Sequence, residues 1–259
     1  MKTAILLNGN VRTIDKCKDN ILQTFSHLSP DYFVSTYYNQ YGYHPYIKGY
    51  LNYHDDPILS ESVIKEKFSS FNVISLLIDN YQELSNFYKQ ENPKFHPNMR
   101  DTESSFLQYI KFKRGLALIE SFEKANNFSY DVIIKTRCDL NHHDIKNIDL
   151  SNLAQKLIVA KGNVFPNDCI LISSRNNIFK IIDFMTKEFY NYTNPISNEK
   201  SPHGLLYAST LEHNLEIQLN EIMNFVVRAN TIQYYPDPLI ENVSVSPLHV
   251  GINGGAQIK

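Results

Sequence analysis

Two apolar runs with one amphipathic stretch between them, all within the first 36 residues, constrain the fold of this chain more than any other feature. Ala4-Ile-Leu-Leu7 is a short continuous apolar run closed by Asn8-Gly9-Asn10, which reads as a buried strand ended by a turn. Ile14, Cys17, Ile21, Leu22 and Phe25 then recur at helical spacing, with Thr13 or Asp15 placed to cap the first turn. Tyr32-Phe-Val-Ser-Thr36 is a second buried strand. Strand, helix and strand in so short a space form a βαβ unit, whose crossover makes the strands parallel and the connection right-handed.

The alternation continues along the chain. After an irregular Tyr- and Asn-rich excursion over 37–56, the pattern predicts a helix over 60–68 and a strand over 73–78. A loop with two prolines over 90–100 precedes the strongest helix, about 102–125, with Phe106, Ile110, Ala117 and Phe122 among its apolar positions. Gln108, Lys111 and Gly115 share another face of it, read either as solvated or as turned to a ligand. Strands follow at 130–136, 157–160 and 169–173, helices at 177–190 and 204–214, and strand-like segments at 223–228 and 231–235. The whole reads as one α/β domain over 1–259, its Pro/Gly-rich tail 236–259 loosely docked.

Composition narrows the function classes. With 25 Lys+Arg against 27 Asp+Glu the net charge is -2, so the chain lacks the basic field of a non-specific nucleic-acid binder. No apolar run approaches the roughly 20 residues that span a bilayer. The start is too soon broken for a signal peptide, which predicts a cytoplasmic protein. Cys17, Cys138 and Cys169 are an odd, scattered set, neither a disulfide scaffold nor a zinc site.

Ligands of α/β sheets bind beyond the carboxyl ends of the strands, which makes candidates of two turns. At Asn8-Gly9-Asn10-Val11-Arg12 a glycine lets the backbone come close, and a helix N-terminus and a guanidinium lie just ahead, all favourable to a phosphate or diphosphate. The turn is neither a dinucleotide-binding glycine motif nor a P-loop. At Lys135-Thr136-Arg137-Cys138-Asp139, a carboxylate after a buried run could hold Mg²⁺ or Mn²⁺, or Arg137 and Asp139 could form an ion pair that only closes the turn. Asn141-His142-His143-Asp144 could add a ligand or lie solvated. Asp168, at the entry of an apolar strand, is either a turn residue or a base for a hydroxyl proton. His54-Asp55-Asp56, the other acidic pair near a His, ranks below Asp139.

Taken together, the first strand ending Leu-Leu-Asn-Gly-Asn-Val-Arg-Thr, the helix with Gln108 and Lys111, Tyr-Asp-Val-Ile-Ile-Lys-Thr-Arg-Cys-Asp-Leu, and Asn167-Asp168-Cys-Ile-Leu-Ile-Ser-Ser before an amphipathic helix resemble GT-A glycosyltransferases of large DNA viruses and bacterial surface-polysaccharide clusters. The resemblance covers about residues 3–228. It implies a GT-A-like, Rossmann-type mixed, mostly parallel sheet flanked by helices, and transfer from a nucleotide-sugar donor, a UDP-sugar, to a glycan acceptor with Mn²⁺ or Mg²⁺. By it Asp139 and His249 become metal ligands, Asp168 the acceptor-side base, and Asn8, Gly9, Arg12, Ser35, Thr36, Lys111 and Arg137 contacts to the donor nucleotide. The first Asp of the family's Asp-x-Asp motif is Arg137 here, and the segment that often reads Pro-Glu is Ser201-Pro202-His203-Gly204. Inversion at the anomeric carbon is preferred because it gives Asp168 a defined role. Two alternatives stand beside this reading: a nucleotide- or carbohydrate-binding protein without turnover, and a sugar-phosphate nucleotidyltransferase, which should carry a longer glycine-rich basic loop after the first strand.

Overall fold

The computed structural model describes residues 1–11, 13–39, 57–99, 103–142, 149–160, 167–194, 202–220, 224–229 and 243–247. The expected opening unit is present as β1 (Thr3–Asn8), α1 (Ile14–Phe25) and β2 (Asp31–Tyr37), with β1 and β2 parallel. Thr13 takes the N-cap position of α1 without a side-chain capping bond. Next come α2 (Glu61–Lys67), capped by the Ser60 hydroxyl, then β3 (Val73–Asp79) and α3 (Tyr81–Glu91). The middle of the chain holds α4 (Glu103–Asn126), β4 (Val132–Thr136), β5 (Leu140–His142) and β6 (Lys156–Ala160). It ends with β7 (Asn167–Ser174), α5 (Arg175–Asn191), α6 (Pro202–Glu212), β8 (Glu216–Asn220), β9 (Asn224–Ala229) and β10 (Val243–Pro247).

Seven strands form one mixed sheet in the order β3-β2-β1-β4-β7-β6-β8. Every pairing is parallel except the two made by β7, which runs against β4 and β6. The expectation of a mostly parallel α/β sheet flanked by helices therefore holds. Alternate residues of each strand feed two cores. Leu6, Phe33, Ile133 and Leu171 pack with α3, α4, α5 and α6 on one face; Ile5, Leu7, Val34 and Ile134 pack with α1 and α2 on the other. A small second sheet, β10-β9-β5, joins part of the tail 236–259 to the turn after β4.

Two local expectations differ from the structure, and one helix had no expectation. The segment after β3 is a helix, α3, held by the Asn80 side chain, which accepts from the backbone of Gln82 and Glu83. The expected loop over 90–100 contains two short 3₁₀ turns, Asn92–Lys94 and Pro97–Met99. On α4 the stripe is differently phased. Ala117 is exposed while Leu107, Tyr109, Phe112, Leu116 and Ile119 are buried, because the helix packs on the sheet, α3 and α5 at once and so is apolar on several sides. The strand-like segment 231–235 lies outside the described residues.

Strand order places the site. The chain leaves β1 toward β2 and β3 on one side and returns with β4 on the other, so the carboxyl ends of β1 and β4 flank the topological switch point of the sheet.

Candidate functional site

A cavity of about 200 Å³ opens at that switch point. Asn8 and Gly9 at the end of β1, Asn10 after it, Tyr37 at the end of β2 and Tyr81 at the start of α3 line one side. Lys135, Arg137 and Asp139 at the end of β4 line the other, and Ser104, Leu107, Gln108 and Lys111 of α4 cover it. The two turns singled out in the sequence thus meet in one cavity.

The Asn8-Gly9 turn is built for close approach. Gly9 has φ 124°, a conformation that side-chain-bearing residues rarely adopt, and its N–H donates to the Ser35 carbonyl at 3.0 Å. Asn8 is 4% exposed, and its Oδ1 has no hydrogen-bond partner. An unsatisfied buried carbonyl is costly, so a donor group on a ligand would gain by meeting it.

Helix α4 is pressed onto the sheet at Gly115, where a Cβ would stand 2.8 Å from Leu6 Cδ2 and 3.1 Å from Ser35 Cβ. This brings Lys111 down to the strand ends. Its ammonium donates to the Thr36 carbonyl and to Asp79 Oδ2 (2.5 Å), and lies 4.4 Å from the centre of the Tyr37 ring. Arg114 reaches the other Asp79 oxygen at 2.8 Å. Burial pushes the Lys111 ammonium down to about 8, against the opposing pull of Asp79. The face of Gln108, Lys111 and Gly115 is therefore the sheet- and cavity-facing side of α4, and the solvated alternative fails.

Arg137 and Asp139 form a two-pronged pair, Nε to Oδ1 2.8 Å and a terminal nitrogen to Oδ2 2.7 Å. Both line the cavity. The pair keeps Arg137 firmly charged: burial opposes the charge, and Asp139 outweighs it. Behind them Lys135, 3% exposed, donates to the backbone carbonyl of Asp168 at 2.5 Å. Asp168 is the second residue of β7, which runs backwards and so delivers its first residues to the same edge as the ends of β1 and β4. Burial would raise its carboxyl, but Lys135, His203 and Arg137, with a hydrogen bond from Gln108, hold it below the usual carboxylate range.

Of the residues proposed from the sequence, Asn8, Gly9, Lys111, Arg137 and Asp139 line the cavity. Ser35 and Thr36 sit beneath it: the Ser35 hydroxyl donates to the Lys111 carbonyl and Thr36 receives the Lys111 ammonium. Asp168 lies one side chain away, joined to the cavity through Gln108. Arg12 and His249 lie outside the described residues, as do His54-Asp55-Asp56 and His143. His142 is buried, bonded to the Thr136 hydroxyl at 3.0 Å and packed on Phe25, an internal staple rather than a solvated residue. Asp79, Tyr81 and Lys135 were given no role in the sequence. Asp79 and Lys135 could have been marked only by their place at strand ends, and Tyr81 only as the first residue of the helix after β3.

Mn²⁺ or Mg²⁺ needs several hard oxygen ligands. Among the described residues the cavity offers one carboxylate, that of Asp139, both of whose oxygens already accept from Arg137, and these residues hold no group of three or more His, Cys, Asp or Glu side chains suited to a metal. These residues do not by themselves fit such a cation. Among them there is also no helix long and apolar enough to cross a membrane.

No protein-family model matches the chain, and no curated protein sequence matches it. Among solved structures it is similar to one titled PaToxG Glycosyltransferase, at 13% identity over 82% of this chain and 69% of that one, with a TM-score of 0.34.

Proposed function

We propose that this protein is a glycosyltransferase that moves a sugar from a nucleotide-sugar donor, a UDP-sugar, to a hydroxyl of a glycan acceptor. The observation that carries the reading is the cavity at the switch point of the sheet. Cations from β4 line one side of it, and the unpartnered carbonyl of Asn8 lies on the other beside two tyrosines. Such a layout suits a ligand with a polar nucleoside at one end and an anionic centre. The acceptor hydroxyl oxygen bonds to the anomeric carbon and releases its proton to solvent as the bond from that carbon to the diphosphate oxygen breaks; Arg137 and Lys135 offset the charge gathering on the leaving diphosphate. Asp168 is the sequence candidate for taking the hydroxyl proton, but its bond to Gln108 favours the positioning role argued below.

A second reading, a nucleotide- or carbohydrate-binding protein without turnover, is favoured by one observation. Asp79, Asp139 and Asp168 all hold a cation or an amide, which leaves none of the three as a ready base. Calorimetry with UDP, GDP and CDP, with and without Mn²⁺, followed by a screen for hydrolysis and transfer of nucleotide-sugars, tests both. Absence of nucleotide binding sinks the glycosyltransferase reading, and binding with neither hydrolysis nor transfer selects the second.

A further inference from the structure

The amide of Gln108 has one permitted orientation. Its Nε2 donates to Asp168 Oδ2. Asp168 is 8% exposed, with the His203 ring 3.7 Å from its other oxygen and the Lys135 ammonium on its backbone carbonyl. A carboxylate this close to the charges of Lys135 and Arg137 is ionised, and an ionised carboxylate only accepts. The NH₂ group of Gln108 must therefore face Asp168, which leaves the carbonyl Oε1 as the acceptor Gln108 can offer to the cavity it lines.

The location of this acceptor is informative. Neighbouring strands lie about 4.8 Å apart, so in the order β2-β1-β4-β7 the Gln108–Asp168 contact is one strand beyond Arg137 and about 14 Å from β2. A ligand with its nucleoside at Asn8 and Tyr37 and its diphosphate at β4 brings the group after the diphosphate to Gln108. Phosphate oxygens accept and gain nothing from a carbonyl; a hydroxyl donates and does.

We propose that Gln108 is a specificity residue, whose Oε1 accepts a hydrogen bond from one hydroxyl of the transferred sugar, and that Asp168 is the positioning residue that fixes the amide. The proposal rests on the glycosyltransferase reading. Its logic is that of a site that rejects an analogue lacking the hydroxyl because a built-in polar group would be left unpaired.

The test compares matched ligands by calorimetry: UDP with UDP-glucose, UDP-galactose and UDP-N-acetylglucosamine, and GDP with GDP-mannose. Gln108→Met should weaken the best nucleotide-sugar about tenfold and leave its nucleoside diphosphate unchanged. Asp168→Asn, which allows the amide to turn either way, should cause a smaller loss on the same ligand alone. A second measurement needs no variant. Of the deoxy and deoxyfluoro analogues of that sugar, one position should lose about tenfold in both forms, because fluorine accepts but does not donate. Equal losses on sugar-bearing and sugar-free ligands, no loss on either, or restoration by fluorine overturns the inference while the glycosyltransferase reading survives. A wild-type protein that binds none of the nucleotide-sugars overturns both.

Discussion

Lys111 and Asp79 form an ion pair from which water is almost wholly excluded: Nζ and Oδ2 are 2.5 Å apart, and the side chains are 1% and 4% exposed. The pair ties the middle of α4 to the end of β3, and the bond from the same ammonium to Thr36 ties it to β2. Two walls of the cavity thereby hold a fixed separation.

Removing one partner of such a pair leaves a buried charge without compensation. Asp79→Ala is expected to lower the unfolding free energy by about 3–5 kcal/mol. Lys111→Met should cost less, because Asp79 keeps Arg114 at 2.8 Å. Urea unfolding of the two variants measures the order, and an equal or reversed order would show that Arg114 does not compensate Asp79 once Lys111 is gone.

The same burial makes stability depend on pH. Lys111 titrates near 8 in the folded protein, against ~10.4 in the unfolded chain. Between those values the unfolded state holds the additional proton, so this position contributes stability that rises with pH; below 8 both states are protonated and its contribution is constant. The difference in unfolding free energy between wild type and Lys111→Met should therefore grow in favour of the wild type from pH 8 to pH 9.5. A flat difference would show that the ammonium stays charged throughout.

Two glycines at the site constrain it for different reasons. Gly9→Ala meets open space but a backbone at φ 124°, so it should cost about 1–3 kcal/mol by strain alone. Gly115→Ala gains about 1 kcal/mol in helix propensity but drives a methyl group into Leu6 and Ser35, and the crowding should win by about 1–2 kcal/mol. Gly115→Ala should also lift Lys111 from the strand ends and weaken UDP binding. Unfolding and UDP titration of both variants separate the two mechanisms, and Gly115→Ala with unchanged stability would mean that Leu6 yields freely.

Arg137 holds the carboxylate a divalent cation would need. Arg137→Ala is expected to destabilise the protein by about 3–5 kcal/mol, since the buried Asp139 carboxylate loses the guanidinium that offsets its charge. Mn²⁺ should then raise the melting temperature of Arg137→Ala more than that of the wild type. Calorimetry of UDP binding completes the comparison: a large Mn²⁺ enhancement in the wild type would show that a cation displaces the guanidinium.

What could be read in the sequence is local. The β1–α1–β2 opening, the Asn8-Gly9 turn and the Arg137–Asp139 pair each depend on residues a few positions apart, where period, turn chemistry and charge spacing act directly. The stripe on α4 could not be phased, because a helix covered on several sides is apolar all round and gives no clean period.

The tertiary structure alone decided the rest. Lys111 is 32 residues from Asp79 and 75 from Thr36, and Gln108 is 60 from Asp168. Those meetings follow from how closely α4 lies on the sheet at Gly115 and from the reversed direction of β7, which brings its first residues to the ligand-facing edge. Periodicity fixes which face of an element is apolar. It carries no term for the distance or direction at which two elements pack, and at this site those two quantities set which charges meet.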